Sequence, residues 1–287
     1  VVREPEPVER DSRGILDPWL LRQRVRLTRY PVQPELLGLV DRFWAVQWDL
    51  PAGQVHAQQV LTHPGANLSV GHADGRSSSA GSVVAECAGV STGLTTRTLT
   101  GRGWTVAALT TPGGLGAFLD ADAATLTDRT VPLGAAIGVD TDALVAQVSG
   151  AADEAARVGV LTRALVAAVR PSRAGTAREV ARLARVAETD RTVRGLADLC
   201  TRAAVGPRTL QRKFLRHAGV PPTWVLRRYR LLDAAEAVRD GRQVVWAEVA
   251  VEMGYADQAH LIRDFRAALG QTPAAYAQAQ ARRAERG

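Results

Sequence analysis

The feature that most limits what this chain can fold into is a pattern written twice. "GPRTLQRKFLRHAGVPP" begins at Gly206 and "ADQAHLIRDFRAALGQTP" begins at Ala256. Leu199, Cys200, Ala204 and Val205 fall on Val249, Ala250, Gly254 and Tyr255 at an offset of 50. After a slip of one residue, Leu210, Arg212, Phe214, Gly219 and Pro222 fall on Leu261, Arg263, Phe265, Gly270 and Pro273. Apolar, small and turn positions are repeated alike. The spacing predicts a duplicated unit of helix, turn, second helix and Gly-x-x-Pro exit, with too few copies for a solenoid and the right number for two helix-turn-helix units.

Each unit has a readable interior. Cys200 and Ala250 supply small residues where the first helix meets the second. Leu210 with Phe214, and Leu261 with Phe265, are i,i+4 pairs that face the core. The opposite face of the first unit carries Arg208, Gln211 and Arg212 near a helix N-terminus, where side chains reach base edges in a major groove. Arg matches guanine O6/N7 and Gln matches adenine N6/N7, although a solvated polar face contains the same residue types. Between the units, "PPTWVLRRYRLLDAAEAVRDG" predicts a Pro-initiated helix of about 18 residues ending at Gly241, roughly 27 Å long. That length places two reading helices about one duplex turn apart.

Charge supports the same reading. The 287 residues carry a formal net charge of +7. From Arg178 to Gly287 there are 20 Lys plus Arg against 12 Asp plus Glu, while the remainder has 16 against 17. All the excess positive charge is C-terminal, so a polyanion partner is expected for that part only. Length suggests two domains, and no apolar run approaches the roughly 20 residues of a membrane helix. The start, "VVREPEPVERDSRG", lacks an apolar signal region, so a cytoplasmic protein with a loose N-terminal extension over residues 1–26 is expected. Cys87 and Cys200 are too few for a disulfide framework or a four-cysteine zinc site, and read as buried thiols.

Along the chain, residues 27–131 favour strands and turns, as in "RFWAVQWDL" and "TGLTTRTLTGRGWTVAALTTPGG". Alternation puts Trp44, Val46 and Trp48 on one face, either as core or as the wall of a pocket. From Asp140 the apolar residues recur at helical spacing, and two helices are expected before "RPSRAGTARE". Its Pro, Ser and Gly predict a linker at 171–177, separating a β-rich domain with C-terminal helices at 27–170 from a helical domain at 178–287.

The segment from Thr192 to Tyr276 resembles the DNA-binding domain of AraC-type transcription regulators, through "LCTRAAVGPRTLQRKF", "RRYRLLDAAEAV", "VAVEMGYADQAHLIRDF" and "GQTPAAY". The resemblance implies seven helices, with "AREVARLARVAE" before the first unit and "PAAYAQAQARR" after the second. It places base-contacting positions on Arg208, Gln211 and Arg212, with Thr209 beside them, and on Ala259, His260 and Arg263, with Gln258 beside them. Gly206 stands where the family usually has a capping Ser, and Ile262 falls on Gln211, so an asymmetric reader is expected. "RYPVQPELLGLVDRFWAV", "QVLTHPGANLSV" and "TTPGGLGAFLDADAATLTDRTVPLG" resemble more weakly the β-rich domain that precedes such helices in actinobacterial regulators. That resemblance implies an α+β chain in which a cupin-like barrel with flanking helices, an effector or dimerisation domain, precedes the all-α domain.

The resulting expectation is a sequence-specific transcription regulator, an activator or a repressor. It would bind double-stranded DNA, work with RNA polymerase, form a possible homodimer, and respond to a small apolar or aromatic effector near Trp44, Trp48 and Trp104. The alternative is a cupin-type metalloenzyme fused to a DNA-binding domain. His56, His63 and His72 fall close together, but no His-x-His pair or Glu at ligand spacing accompanies them. Glu86 beside Cys87 lacks an identifiable base, and "TPGGLGAFL" lacks the lysine of a phosphate loop. No catalytic residue, metal or cofactor is therefore assigned. A DNA-repair alkyl acceptor would need an activated thiolate that two isolated cysteines do not supply.

Overall fold

The structure, a computed structural model, describes residues 14–16, 18–75, 81–239, 244–252, 255 and 257–284. Residues 1–13 of the expected N-terminal extension, and Gly241 and Gly254, lie outside the described residues. Its later part, 18–24, is helical as α1 (Pro18–Arg24), and Val25 already opens β1 (Val25–Tyr30).

The N-terminal half is β-rich because short runs rich in β-branched and aromatic residues are bounded by turns; the strand Val55–Leu61 alternates buried and exposed positions, while the central strands Asn67–His72 and Arg102–Thr110 are buried on both faces. Six antiparallel strands form one sheet in the order β1, β2 (Val40–Asp49), β7 (Arg102–Thr110), β4 (Asn67–His72), β5 (Val83–Ala88) and β8 (Thr130–Pro132). β3 (Val55–Leu61) and β6 (Leu94–Thr100) pair separately. The cupin-like arrangement is thus two facing sheets; among the described residues no strand ladder joins them into a closed barrel.

One face of the large sheet is apolar, with Phe43, Ala45, Leu68, Val70, Val106 and Ala108 buried against helices. These are α2 (Leu133–Ile137), α3 (Thr141–Ser149) and α4 (Glu154–Ala168). Asp140 and Asp153 cap α3 and α4 by accepting bonds from Ala143 N at 3.0 Å and Ala156 N at 2.8 Å. Such caps satisfy donors that a helix start otherwise leaves open.

Among the described residues seven helices follow: α5 (Pro171–Thr189), α6 (Leu196–Ala203), α7 (Pro207–Ala218), α8 (Pro222–Arg239), α9 (Trp246–Glu252), α10 (Gln258–Leu269) and α11 (Pro273–Ala284). Residues 171–177, expected as a linker, are the opening turns of α5. Pro171 occupies the first helical position, where its missing N–H and fixed φ suit a helix start rather than a break. Ala174 and Ala177 then enter the core of the β-rich half, while Val180, Leu183, Ala184 and Ala187 enter the helical core. One helix therefore belongs to both halves, and Leu16, Leu61 and Val90 continue the helical core into the β-rich side.

Candidate nucleic-acid interface and sensor cavity

In the first unit the i,i+4 reading holds: Leu210 and Phe214 are fully buried, and Arg208, Gln211 and Arg212 are exposed on the other side of α7. Thr209 is half-buried. The start of α7 has Gly206 at its N-cap with no side-chain bond. In the second unit Leu261 and Phe265 are buried and Gln258, Ala259 and Arg263 are exposed. α10 is capped by Asp257, which accepts from His260 N at 2.7 Å. Each second helix ends in a left-handed glycine, Gly219 at φ +81° and Gly270 at φ +73°, which explains why the pattern repeats glycine there.

His260 is only partly available to a duplex. Its ring meets Tyr255 at 4.8 Å, and its Nε2 is 4.0 Å from Asp264, which also accepts from the Tyr255 hydroxyl at 2.8 Å. Burial and the Asp264 bond together push the Tyr255 hydroxyl well above its ordinary range.

The C-terminal surplus of positive charge divides into two kinds. Lys213 pairs with Glu179 at 2.7 Å, Arg202 with Asp190 at 2.8 Å and Arg191 with Asp233 at 2.6 Å. Arg228 and Arg230 are 2% and 5% exposed, so they do not add to a DNA-facing surface. Arg208, Arg212 and Arg263 are exposed and make no ion pair among the described residues. Sequence counting cannot separate these groups, because residue type gives charge and only packing gives its location.

The second helix of the first unit, α7, is seated on the β-rich half. His217, at the end of α7, is buried against Gly116, where a Cβ would come within 2.4 Å of the His217 Nδ1. The Thr127 hydroxyl donates to Gly219 O at 2.7 Å. Arg173 donates to the carbonyls of Asp120 and Ala121, and Arg216 lies 3.7 Å from Asp122. The stretch "TPGGLGAFL" is a turn as expected, a 3-10 helix at Gly114–Ala117, and it packs against α5 and α7. Its small residues allow that close approach, a role its sequence alone does not announce.

The second face of the large sheet, opposite β3 and β6, lines a cavity of about 250 Å³. Strand register sorts its wall into rows. Leu27, Val46, Thr105, Gly71 and Val84 lie side by side. The next row on that face carries Arg29, Trp44, Ser69 and Glu86. Arg42, Asn67 and Arg97 extend the polar end, with Arg97 3.9 Å from Glu86, while Leu21, Val25 and Leu99 extend the apolar end. The two rows thus differ in polarity, and His72, beside Trp48, and Asp74, which accepts from Thr98 N, add polar groups at the end of Leu21 and Leu99.

Of the tryptophans expected at a pocket, Trp44 lines the cavity and donates from Nε1 to Asn67 Oδ1 at 3.1 Å. Trp48 and Trp104 are not among the lining residues. Trp48 packs with Leu21, Val25 and Leu50 and donates to Thr100 O at 3.1 Å. Trp104 lies beneath the Arg157 guanidinium of α4 at 4.2 Å, with His72 at its edge. Alternation predicts the shared face correctly for Trp44, Val46 and Trp48: Trp48 packs with Leu21, Val25, Leu27 and Val46, which line the cavity, but is not itself part of the wall. The arginines of the wall were missed; their signal is an Arg at the inward parity of β1, as in "VRLTRY".

The remaining candidates fall in different places. His56 is buried and bonded to Gln58 at 3.2 Å, while His63 lies 3.6 Å from Glu188. Among the described residues no group of three His, Cys, Asp or Glu is placed to hold a metal ion. Cys87 is buried and its thiol is pushed up to about 12 by desolvation, which keeps it protonated and unreactive; Cys200 is half-buried. Among the described residues no helix is long and apolar enough to cross a membrane.

Residues 199–279 match a family described as a helix-turn-helix domain, and residues 28–132 match a domain of unknown function, DUF6597. No curated protein matches the chain. Among solved structures, ToxT from Vibrio cholerae is similar at 10% identity over 88% of this chain and 98% of that one, with a TM-score of 0.36. Wild-type ToxT from Vibrio cholerae with bound unsaturated fatty acid is similar at 13% identity over 82% of this chain and 94% of that one, with a TM-score of 0.34.

Proposed function

We propose that this chain, an AraC-type DNA-binding regulator by virtue of its helix-turn-helix domain at residues 199–279, reads two successive major grooves with α7 and α10 and is modulated by a small molecule in the 250 Å³ cavity. The observation that carries the reading is the exposure of Arg208, Gln211, Arg212 and Arg263, with none of the three arginines in an ion pair among the described residues, on helices joined by the 18-residue α8. At 1.5 Å per residue that rod is roughly 27 Å long, the scale of one duplex turn.

The two heads differ in what they offer a base edge. α7 presents two arginines and a glutamine, which suit bidentate contacts to guanine and adenine. α10 presents Arg263 and the Ala259 methyl, with His260 engaged by Tyr255 and Asp264, so phosphate anchoring and thymine methyl contact dominate there. The cavity lies at the small end of ligand sites, and its rows favour a compact molecule with an apolar body and a polar head.

Selection of random DNA fragments on the full chain, followed by footprinting, tests this directly. A bipartite site is expected. The Arg212→Ala variant should lose about 1–3 kcal/mol on that site and tolerate any base at one position. Equal loss on every DNA sequence contradicts base reading by Arg212 and leaves only phosphate attraction, which salt titration identifies by its slope.

A further inference from the structure

We infer that the run Arg227–Arg228–Tyr229–Arg230 on α8 is a coupling node through which occupancy of the sensor cavity repositions the second reading unit, while the first stays fastened to the β-rich half. The inference rests on the two-headed reading above and adds the path of regulation.

The contacts of the four residues diverge. Arg228 is 2% exposed, and its guanidinium donates to Thr92 O at 2.5 Å, Ser91 O at 3.4 Å and Thr62 O at 3.5 Å, while lying 4.6 Å from the Trp224 ring. Its socket is made of carbonyls, and Asp128 steadies the socket by accepting from Thr92 N at 2.7 Å and Thr92 Oγ1 at 2.6 Å. Tyr229 meets the ring of His63 at 5.2 Å, and His63 in turn lies 3.6 Å from Glu188 of α5. Arg227 points toward the second unit, 3.8 Å from Asp264 and 5.2 Å from the Tyr255 ring. Arg230 donates to Val193 O at 3.3 Å, on the lead-in to the first unit.

Thr62 and His63 connect this node to the cavity, because both line it. A molecule that presses on them moves the socket of Arg228 and the partner of Tyr229 together. A guanidinium held by buried carbonyls cannot leave them without exposing an unpaired charge in an apolar setting, so α8 follows the socket. The two heads respond differently because their exits are packed differently. A Cβ at Gly219 would meet Thr127 Oγ1 at 2.9 Å and Ala123 O at 3.0 Å, whereas the matching Gly270 has open space around it. At its exit the first head is packed against Thr127 and Ala123 and the second is not; the second unit is held instead through α11, where Tyr276 donates to Ala235 O and Gln280 to Leu16 O.

The test needs no identified ligand. Val46→Phe puts a ring into the cavity as a surrogate for occupancy, and binding is measured on the selected DNA with either half-site scrambled. Val46→Phe should change the contribution of the α10 half-site about fivefold and leave that of the α7 half-site within about twofold, the scale of coupling between residues in one contact network. Adding Arg228→Met should erase that difference, and adding Arg228→Lys, which keeps the charge, should retain most of it. A change shared by both half-sites, or one that persists with Arg228→Met, overturns the node. If selection finds no preferred DNA, the function proposed above fails, and the node is judged by amide exchange of the full chain. Arg228→Met should then raise exchange in residues 91–92 and in α9–α10 but not in α7; a uniform rise, or none in α10, refutes it.

Discussion

Phe265→Ala should lower the unfolding free energy of the second unit by about 3–5 kcal/mol, the scale for emptying a buried aromatic site. Phe265 is fully buried, and its ring meets Trp246 edge-on at 5.1 Å and Tyr276 at 5.9 Å. Such aromatic pairs contribute about 0.5–1.5 kcal/mol beyond area burial. The three rings come from α9, α10 and α11, so one truncation loosens three helices at once. Urea unfolding monitored by tryptophan fluorescence reads the loss, with amide exchange assigning it to α9–α11. A loss below about 1 kcal/mol would mean that the neighbours collapse into the space and that Phe265 does not hold the unit together. The functional consequence is selective: the α10 half-site should disappear from the footprint while the α7 half-site remains.

Acidification should destabilise the chain between about pH 6.5 and 4 through His217. Burial lowers this imidazole from its ordinary 6.5 to about 4, and the guanidinium groups of Arg173 and Arg216 act in the same direction against Asp122 and Glu179. The folded state therefore resists a proton that the unfolded chain accepts. Stability is fully present above about 6.5 and is lost as pH falls toward 4, at about 1.4 kcal/mol per unit, in total on the order of 3 kcal/mol. His217 lies near the end of α7 and packs on Gly116, so the weakened contact is the seat of α7 on the β-rich half. Urea unfolding at pH 7.5 and pH 5 should differ by about 2 kcal/mol in the parent chain and clearly less in His217→Gln. An unchanged pH dependence in the variant would assign the acid sensitivity to other groups.

The helical half was legible because its signals are local. Leu210 with Phe214 and Leu261 with Phe265 declare an inner face within one helical turn, and the glycines at 219 and 270 close each helix wherever it packs. The exposed trio Arg208, Gln211 and Arg212 follows by elimination from the same periodicity. The strands were legible for a similar reason, and Trp44 with Val46 landed on the face that alternation assigns. What local patterns do not carry is the partner of each face. Pro171, Ser172 and Gly175 look like a break, yet the helix they open is held by burial of Ala174 and Ala177 on one side and Val180 on the other. Arg228 and Arg212 are the same residue type in the same basic region, and one is buried among carbonyls while the other faces water.

From its sequence by itself this chain has two copies of one helical unit, a rod of defined length between them and a strand-rich half ahead of them, since periodicity, capping and turn chemistry act over a few residues. Only the tertiary structure decided that α5 joins the halves, that the glycine turn at 114–117 seats α7, and that the arginines of α8 divide between carbonyls of the β-rich half and Asp264 of α10. The reason is that burial and hydrogen-bond partners are properties of distant segments brought together, and a guanidinium's meaning depends on whether water, a carbonyl or a carboxylate meets it.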